Sequence, residues 1–331
     1  MPIRLRIATF NLENFDDRPG QAPTLAERIA VMRPQLIRLE ADVLCLQEVN
    51  GQEEARQPRR LLALQKLLNG TLYANYHKVS TTTADGVQVY DERNLVILSR
   101  YPIADPRQYK HHFAPAPRYQ KVTAQPPETT AAEVTWERPT LYAKISLTAG
   151  RVLHIINLHL KSKIASPIPG QKLDEYTWKT SSGWAEGFFL SSLKRVGQAL
   201  ETRILIDGLF DTDEDAMIVV CGDFNADLDD VPVEAIRGDV ENTGNGRLAK
   251  HVLVPCERTI PEPSRFSLLH LGQGKMIDHL LVSRALLAYY RGSEVHNELL
   301  HDESIAFATD TKYPESDHAP VIAEFQLPEA D

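Results

Sequence analysis

MIVVCGDFN, residues 217–225, is an apolar run that ends in a carboxylate and an amide. A strand buried on both faces reads as a continuous apolar run. Met217–Gly222 therefore predicts a central strand with Asp223 and Asn225 at its end. In a strand, residues i and i+2 face the same side, so Asp223 and Asn225 would point together.

The same pattern recurs along the chain. Ile7-Ala8-Thr9-Phe10 runs into Asn11, and Val43-Leu44-Cys45-Leu46-Gln47 runs into Glu48. Leu153-His154-Ile155-Ile156 runs into Asn157-Leu158-His159, which places Asn157 and His159 on one face. Met276-Ile277 leads into Asp278, and Ser316-Asp317-His318 precedes a last apolar run. Strand ends of this kind converge on one rim of a sheet. Oxygen ligands from Asn11, Glu48, Asp223 and Asp317 suit a hard cation such as Mg2+ or Mn2+. No cysteine–histidine cluster has zinc spacing. Two histidines beside such a site point to proton transfer and stabilisation of negative charge, so metal-assisted attack of water on a phosphorus ester fits the inventory. Each residue alone has an ordinary reading: a turn asparagine, an Asx turn at Asp223, a satisfied structural histidine. Their joint order is what carries the catalytic one.

The blocks TFNLEN (9–14), LQEV (46–49), NLHLKS (157–162), GDFN (222–225), IDHLLVS (277–283) and SDHAPV (316–321) resemble the endonuclease/exonuclease/phosphatase superfamily, the deoxyribonuclease I-like fold. The resemblance implies a four-layer α/β/β/α sandwich of two packed mixed sheets with outer helices. It also implies roles. Asn11, Glu48 and Asp317 would hold the metal, with Glu48 the main ligand. Asp223 would orient or deprotonate the attacking water, and Asn225 would hold the phosphate or that carboxylate. His318 would contact the scissile phosphate, with Asp278 orienting it. His159 would stabilise the pentacovalent state or protonate the leaving oxygen. Arg93, Asn94 and Asn157 are placed as substrate-binding residues.

Site motifs spread from residue 11 to residue 318 argue for one domain over residues 1–331. Two polar insertions are expected near 103–139 and 161–182, the first rich in proline. The reading in order is strand 3–10, helix 24–40, strand 42–47, helix 58–69, and strands near 75–80 and 94–99. Strands follow at 140–147 and 152–158, then a helix over about 184–209, and strands at 217–222, 276–282 and 320–326. Pro34 interrupts the first helical pattern. Cys45, Cys221 and Cys256 read as core residues of a reducing compartment.

No apolar run reaches the roughly 20 residues of a membrane span. MPIRLRIATF enters the first strand directly, so a cytoplasmic chain without stable membrane insertion is expected, monomeric by default. The net charge of −9 counts against a tight non-specific DNA binder. Residues 207–241 hold twelve carboxylates against Arg237, a solvated face. Residues 100–125 hold Arg100, Arg107, Lys110, Arg118 and Lys121 against Asp105, and could touch an anionic substrate. Tyr176, Trp178 and Trp184 could stack on a base or pack locally.

Departures from the family narrow the substrate. The chain lacks the Tyr-based and Trp-rich segments of apurinic-site enzymes and the Cys-Asp-Arg signature of inositol phosphatases. A nuclease acting on DNA or RNA is the expected activity. A phospholipid or sphingomyelin phosphodiesterase is the alternative, and a non-catalytic binding module is disfavoured because the site residues are present.

Overall fold

The computed structural model describes residues 3–328. Two six-stranded sheets face each other. The first runs, in spatial order, Tyr290–Val295, Val321–Leu327, Ile3–Phe15, Val43–Val49, Asn94–Ser99 and His77–Ser80. The second runs Val254–Pro255, Asp278–Val282, Met217–Asp223, Val152–His159, Thr140–Ser146 and Ile103–Tyr109. Each sheet has one parallel pair near its middle, Ile3–Phe15 with Val43–Val49 and Val152–His159 with Met217–Asp223. The other pairs are antiparallel, so both sheets are mixed. Antiparallel pairing also brings the last strand, Val321–Leu327, back beside the first.

Alternation along each strand divides the side chains between layers. Val43 and Cys45 face the second sheet, where they join Leu5, Ile97, Ile155, Val219, Cys221 and Leu280 in one core. Leu44 and Leu46 face outward, against Met32, Leu36 and Leu39 of the helix Leu25–Leu39 and Leu64 and Leu67 of the helix Leu62–Leu68. Ile218 and Val220 likewise pack on Leu205, Ile206 and Phe210 of the helix Ser181–Thr212. The chain is thus a four-layer α/β sandwich, as expected. All three cysteines are free and buried.

The helix Leu25–Leu39 starts at a capping box between Thr24 and Glu27. It buries Arg28, Met32, Leu36 and Leu39, the i, i+4, i+8 stripe of a half-buried helix. Pro34 lies inside it without ending it.

Several elements depart from the sequence reading, the helix Val231–Arg237 and the strand Val254–Pro255 among them. Residues 103–109, expected in an insertion, form the edge strand of the second sheet, where Pro106 costs no ladder bond on the solvent side. Tyr290–Val295 carries no continuous apolar run, and the helix Glu303–Thr309 has only the short run Ile305–Ala308, whose Ile305 and Phe307 are exposed; the sequence reading assigned neither. The second helix is shorter than 58–69, because Arg60 pairs with Gln52 before it begins. No helix among the described residues is long and apolar enough to cross a membrane.

Candidate active site

The parallel pairs of both sheets end at the same rim. Asn11 and Glu48 come from the first sheet, His159 and Asp223 from the second. The backbone there is held in costly conformations. Glu48 (φ 56°), Asn225 (φ 49°), Arg93 (φ 59°), Glu13 (φ 48°) and Asn14 (φ 46°) are all left-handed. Such residues cost of order 1–3 kcal/mol each and gather at functional sites. Gly222 in the GDFN turn is required. Its φ is 136°, and a Cβ there would lie 1.9 Å from the carbonyl oxygen of Leu158 on the neighbouring strand.

Asp223 is the hub. Its Oδ2 accepts from Asn11 Nδ2 at 3.0 Å and Asn225 Nδ2 at 3.1 Å, and lies 3.2 Å from His159 Nε2 and 3.9 Å from His318 Nε2. Its Oδ1 accepts the Asn225 backbone N–H at 2.8 Å. Burial alone would raise this carboxyl. The His159 and His318 imidazoles and the Asn225 N–H outweigh it and hold the group well below the usual range.

His318 Nδ1 donates to Asp278 Oδ2 at 2.7 Å, and the Ser267 hydroxyl accepts the Asp278 N–H at 3.1 Å. Burial would lower the imidazole, but Asp278, Asp223 and Asp317 raise it well above its ordinary value. These carboxylates favour the protonated ring. His159 Nε2 also reaches Glu48 Oε1 at 3.6 Å, while its buried Nδ1 has no partner among the described residues.

On the other side of the hub is an acidic corner. Glu48 Oε2 accepts the Asn14 N–H at 2.9 Å, and Glu13 Oε2 accepts the Asp317 N–H at 3.2 Å. Burial and mutual repulsion with Glu13 and Glu48 raise the Asp317 carboxyl well above normal. Its buried Oδ1 has no hydrogen-bond partner among the described residues. Burial and Glu48 raise Glu13 too, although Arg28 opposes them. Arg28 Nη2 is 3.9 Å from Glu13 Oε2, and the guanidinium donates to the carbonyls of Leu12 and Glu13 at 2.8 Å. The corner gathers three carboxylates beside the Arg28 guanidinium, with His318 Nε2 3.9 Å from Asp317 Oδ1, and that oxygen still lacks a hydrogen bond among the described residues. Their hard oxygen donors fit a divalent cation. Asp223, Asp278 and His318 also bring ligand-type atoms within 4.8 Å of one another. In that trio His318 Nδ1 and Asp278 Oδ2 are already bonded to each other at 2.7 Å, whereas the acidic corner offers an oxygen without a hydrogen bond among the described residues.

Nine of the eleven residues singled out from sequence reach this rim. Arg93 is exposed, with Nε 3.1 Å from Asn14 Oδ1, and its charge acts on Glu48. Asn94 and Asn157 do not reach it. Asn94 is fully buried, donating to Val49 and Tyr90 carbonyls and accepting from the Tyr90 N–H, so it pins a loop. Asn157 is also fully buried between the sheets. Its Nδ2 donates to the Leu46 and Val96 carbonyls at 3.1 and 3.0 Å, and its Oδ1 accepts from Gln47 Nε2 at 2.7 Å. Both amides spend their hydrogen bonds on the scaffold. Glu13 and Arg28, not singled out from sequence, also stand at this rim. Glu13 sits inside the TFNLEN block, which was a usable signal.

The basic stretch 100–125 is largely paired off: Arg100 with Asp42, Arg107 with Asp105, Lys121 with Glu128. Trp178 packs against the small cluster of Ile168 and Leu190 under Lys172. Trp184 is exposed and stacks on Phe188, and Tyr176 meets Phe307 edge-on.

A family model described as "Endonuclease/Exonuclease/phosphatase family" matches residues 8–318. No curated protein matches the chain. Among solved structures it resembles NExo, a 3′ phosphatase from Neisseria bound to a product DNA hairpin. That match is 19% identical over 97% of this chain and 99% of the other, with TM-score 0.52. It resembles a family protein from Bacteroides thetaiotaomicron at 15% identity over 99% and 96%, TM-score 0.58. It also resembles D. rerio TDP2 complexed with single strand DNA product, at 16% identity over 97% and 98%, TM-score 0.54. At these identities the likeness is one of fold.

Proposed function

We propose that this chain, which belongs to the endonuclease/exonuclease/phosphatase family, is a divalent-metal-dependent phosphodiesterase whose substrate is a nucleic acid. The coarse activity, hydrolysis of phosphoester bonds, comes with the family. One observation carries the finer reading: two histidines approach a single carboxylate oxygen, Asp223 Oδ2, at 3.2 and 3.9 Å, with a second carboxylate, Asp278, behind one of them.

The roles follow from these contacts. The His318 imidazolium, fixed by Asp278, donates Nε2–H to a non-bridging oxygen of the scissile phosphate and stabilises the charge that builds there. Asp223 accepts a hydrogen bond from the attacking water and aligns it. Its low proton affinity in the free protein makes it an orienting group first, since an effective general base titrates near the working pH. An arriving phosphate beside it raises that affinity. As the new P–O bond forms and the old one breaks, the water's proton passes to Asp223. The leaving oxygen takes a proton from His159 Nε2. Asn11 and Asn225 hold Asp223 in place. Glu48, Asp317 and Asn11 would hold the metal, Mg2+ or Mn2+, which when bound withdraws charge from the phosphate.

The nucleic-acid choice is supported by the DNA in the NExo and TDP2 structures and by Arg93 at the rim. The deciding experiment assays bis-p-nitrophenyl phosphate, plasmid DNA, RNA and sphingomyelin in parallel with Mg2+, Mn2+ or EDTA. Cleavage of DNA or RNA, lost in EDTA, is expected. Cleavage of sphingomyelin alone would move the chain to the lipid reading.

A further inference from the structure

Behind His159 lies a group of cations that the reaction above does not use. Arg138 precedes the strand Thr140–Ser146, Lys161 follows His159 by two residues, and Lys194 lies on the helix Ser181–Thr212. All three face one carboxylate, Glu137. Lys194 Nζ is 3.5 Å from it, Arg138 Nη2 3.8 Å and Lys161 Nζ 3.9 Å. Lys110 Nζ is 3.5 Å from the Glu137 carbonyl oxygen. A well-made ammonium or guanidinium bond to carboxylate is about 2.7–2.9 Å. None of the three carboxylate contacts attains that.

The cluster is anchored to the catalytic strands. Arg138 Nη1 donates to the His159 carbonyl at 3.1 Å, Gln198 Nε2 to the Arg138 carbonyl at 3.1 Å, and Arg195 Nη1 to the Lys161 carbonyl at 2.9 Å. The side chains of Arg138, Lys161 and Lys194 are only 10%, 12% and 20% exposed. Lys161 Nζ also donates to Ser162 Oγ at 2.8 Å and to the Ile164 carbonyl at 3.4 Å, but these partners are neutral. Three largely buried cations still share Glu137 as the carboxylate within 4 Å, and a further anion would offset their charge. Arg138 also acts electrostatically on Glu48 and Asp223, so the cluster adjoins the hub.

We propose that Arg138, Lys161 and Lys194 form a subsite for a second phosphate of the substrate, beside the one being hydrolysed, with Glu137 as the internal anion that the phosphate displaces. The proposal rests on the phosphodiesterase reading. The subsite takes a phosphate dianion or a backbone diester; Arg138 supplies a forked donor and the lysines point charges. His159, His318 and Asp223 address the bond to be cleaved. This cluster selects substrates that carry a neighbouring phosphate.

The test uses the full chain with Mg2+ and four substrates: bis-p-nitrophenyl phosphate, TpT, pTpT and TpTp. The first has one phosphate and checks the phosphodiesterase reading alone; if it and the dinucleotides resist cleavage, that reading falls and takes the subsite with it. With cleavage present, pTpT or TpTp should exceed TpT at least tenfold in kcat/KM, mostly through KM. Whichever of the two is preferred tells which side of the scissile phosphate the cluster serves. A preference for neither means no subsite. Lys194→Ala should abolish most of the preference with an unchanged melting temperature. Glu137→Gln should increase it, because the competing anion is gone. A purely structural ion-pair network predicts no preference in the wild type, or a preference that Lys194→Ala leaves intact, and either result overturns the proposal.

Discussion

His318 Nδ1 and Asp278 Oδ2 are 2.7 Å apart, and the other ring nitrogen of His318 points at Asp223 from 3.9 Å. The buried carboxylate favours the protonated ring and fixes its direction at once. Because the folded-state pKa of His318 is raised, the active imidazolium is present below that pKa and lost as pH rises through it. Asp278→Asn removes the raising charge. The alkaline limb of the pH–rate profile should therefore move to lower pH, measured as kcat/KM from about pH 5 to about pH 10. The double variant Asp278→Asn/His318→Ala should be no slower than His318→Ala alone. Multiplying losses would show the two residues acting independently.

His159→Ala and His318→Ala should each lower kcat by about a hundredfold or more, the scale for removing a positioned proton donor or a transition-state hydrogen bond. Circular dichroism should be unchanged. Near wild-type turnover in either variant removes that histidine from the mechanism.

Glu13, Glu48 and Asp317 repel one another in the absence of a cation. Mg2+ should raise the melting temperature of the wild type, and a ligand at about 100 times its Kd stabilises by about 2.7 kcal/mol. Glu48→Ala should blunt this shift and raise the metal concentration for half-activity. Differential scanning fluorimetry against Mg2+ reads the binding without reference to turnover. An Mg2+ response that survives Glu48→Ala unaltered would place the cation elsewhere.

Gly222→Ala meets both the Leu158 carbonyl and a positive φ. Strained φ and overpacking each cost about 1–3 kcal/mol. Urea unfolding should show a loss of at least about 2 kcal/mol. A stable Gly222→Ala protein would mean the two strands can separate there at little cost.

The central strands were legible because they are buried on both faces, and a short, continuous apolar run rich in β-branched residues fits almost nowhere else in a globular chain. Ile103–Tyr109 and Tyr290–Val295 were not, since edge strands mix Asp105, Arg107, Arg291 and Glu294 with their apolar positions. The motif residues that end buried strands converge on one rim, as the strand pattern and the order of the motifs led one to expect. Asn157 was misread because strand periodicity gives the face but not the depth: His159 stands at the rim, while two residues earlier the same face meets Gln47 of the other sheet. Asn94 was misread because adjacency to a strand start does not reveal that its amide turns back onto Val49 and Tyr90. The contact of Arg138 with His159 was not legible, since it runs through a backbone carbonyl, which leaves no trace in residue type.

The most direct test of the proposed chemistry is hydrolysis of bis-p-nitrophenyl phosphate by wild-type protein and His318→Ala, each with Mg2+, with Mn2+ and with EDTA. The expected result is p-nitrophenol release by the wild type with Mg2+ or Mn2+, none above background in EDTA, and at least about a hundredfold less from His318→Ala. Release that persists in EDTA, or equal release from His318→Ala, would contradict it.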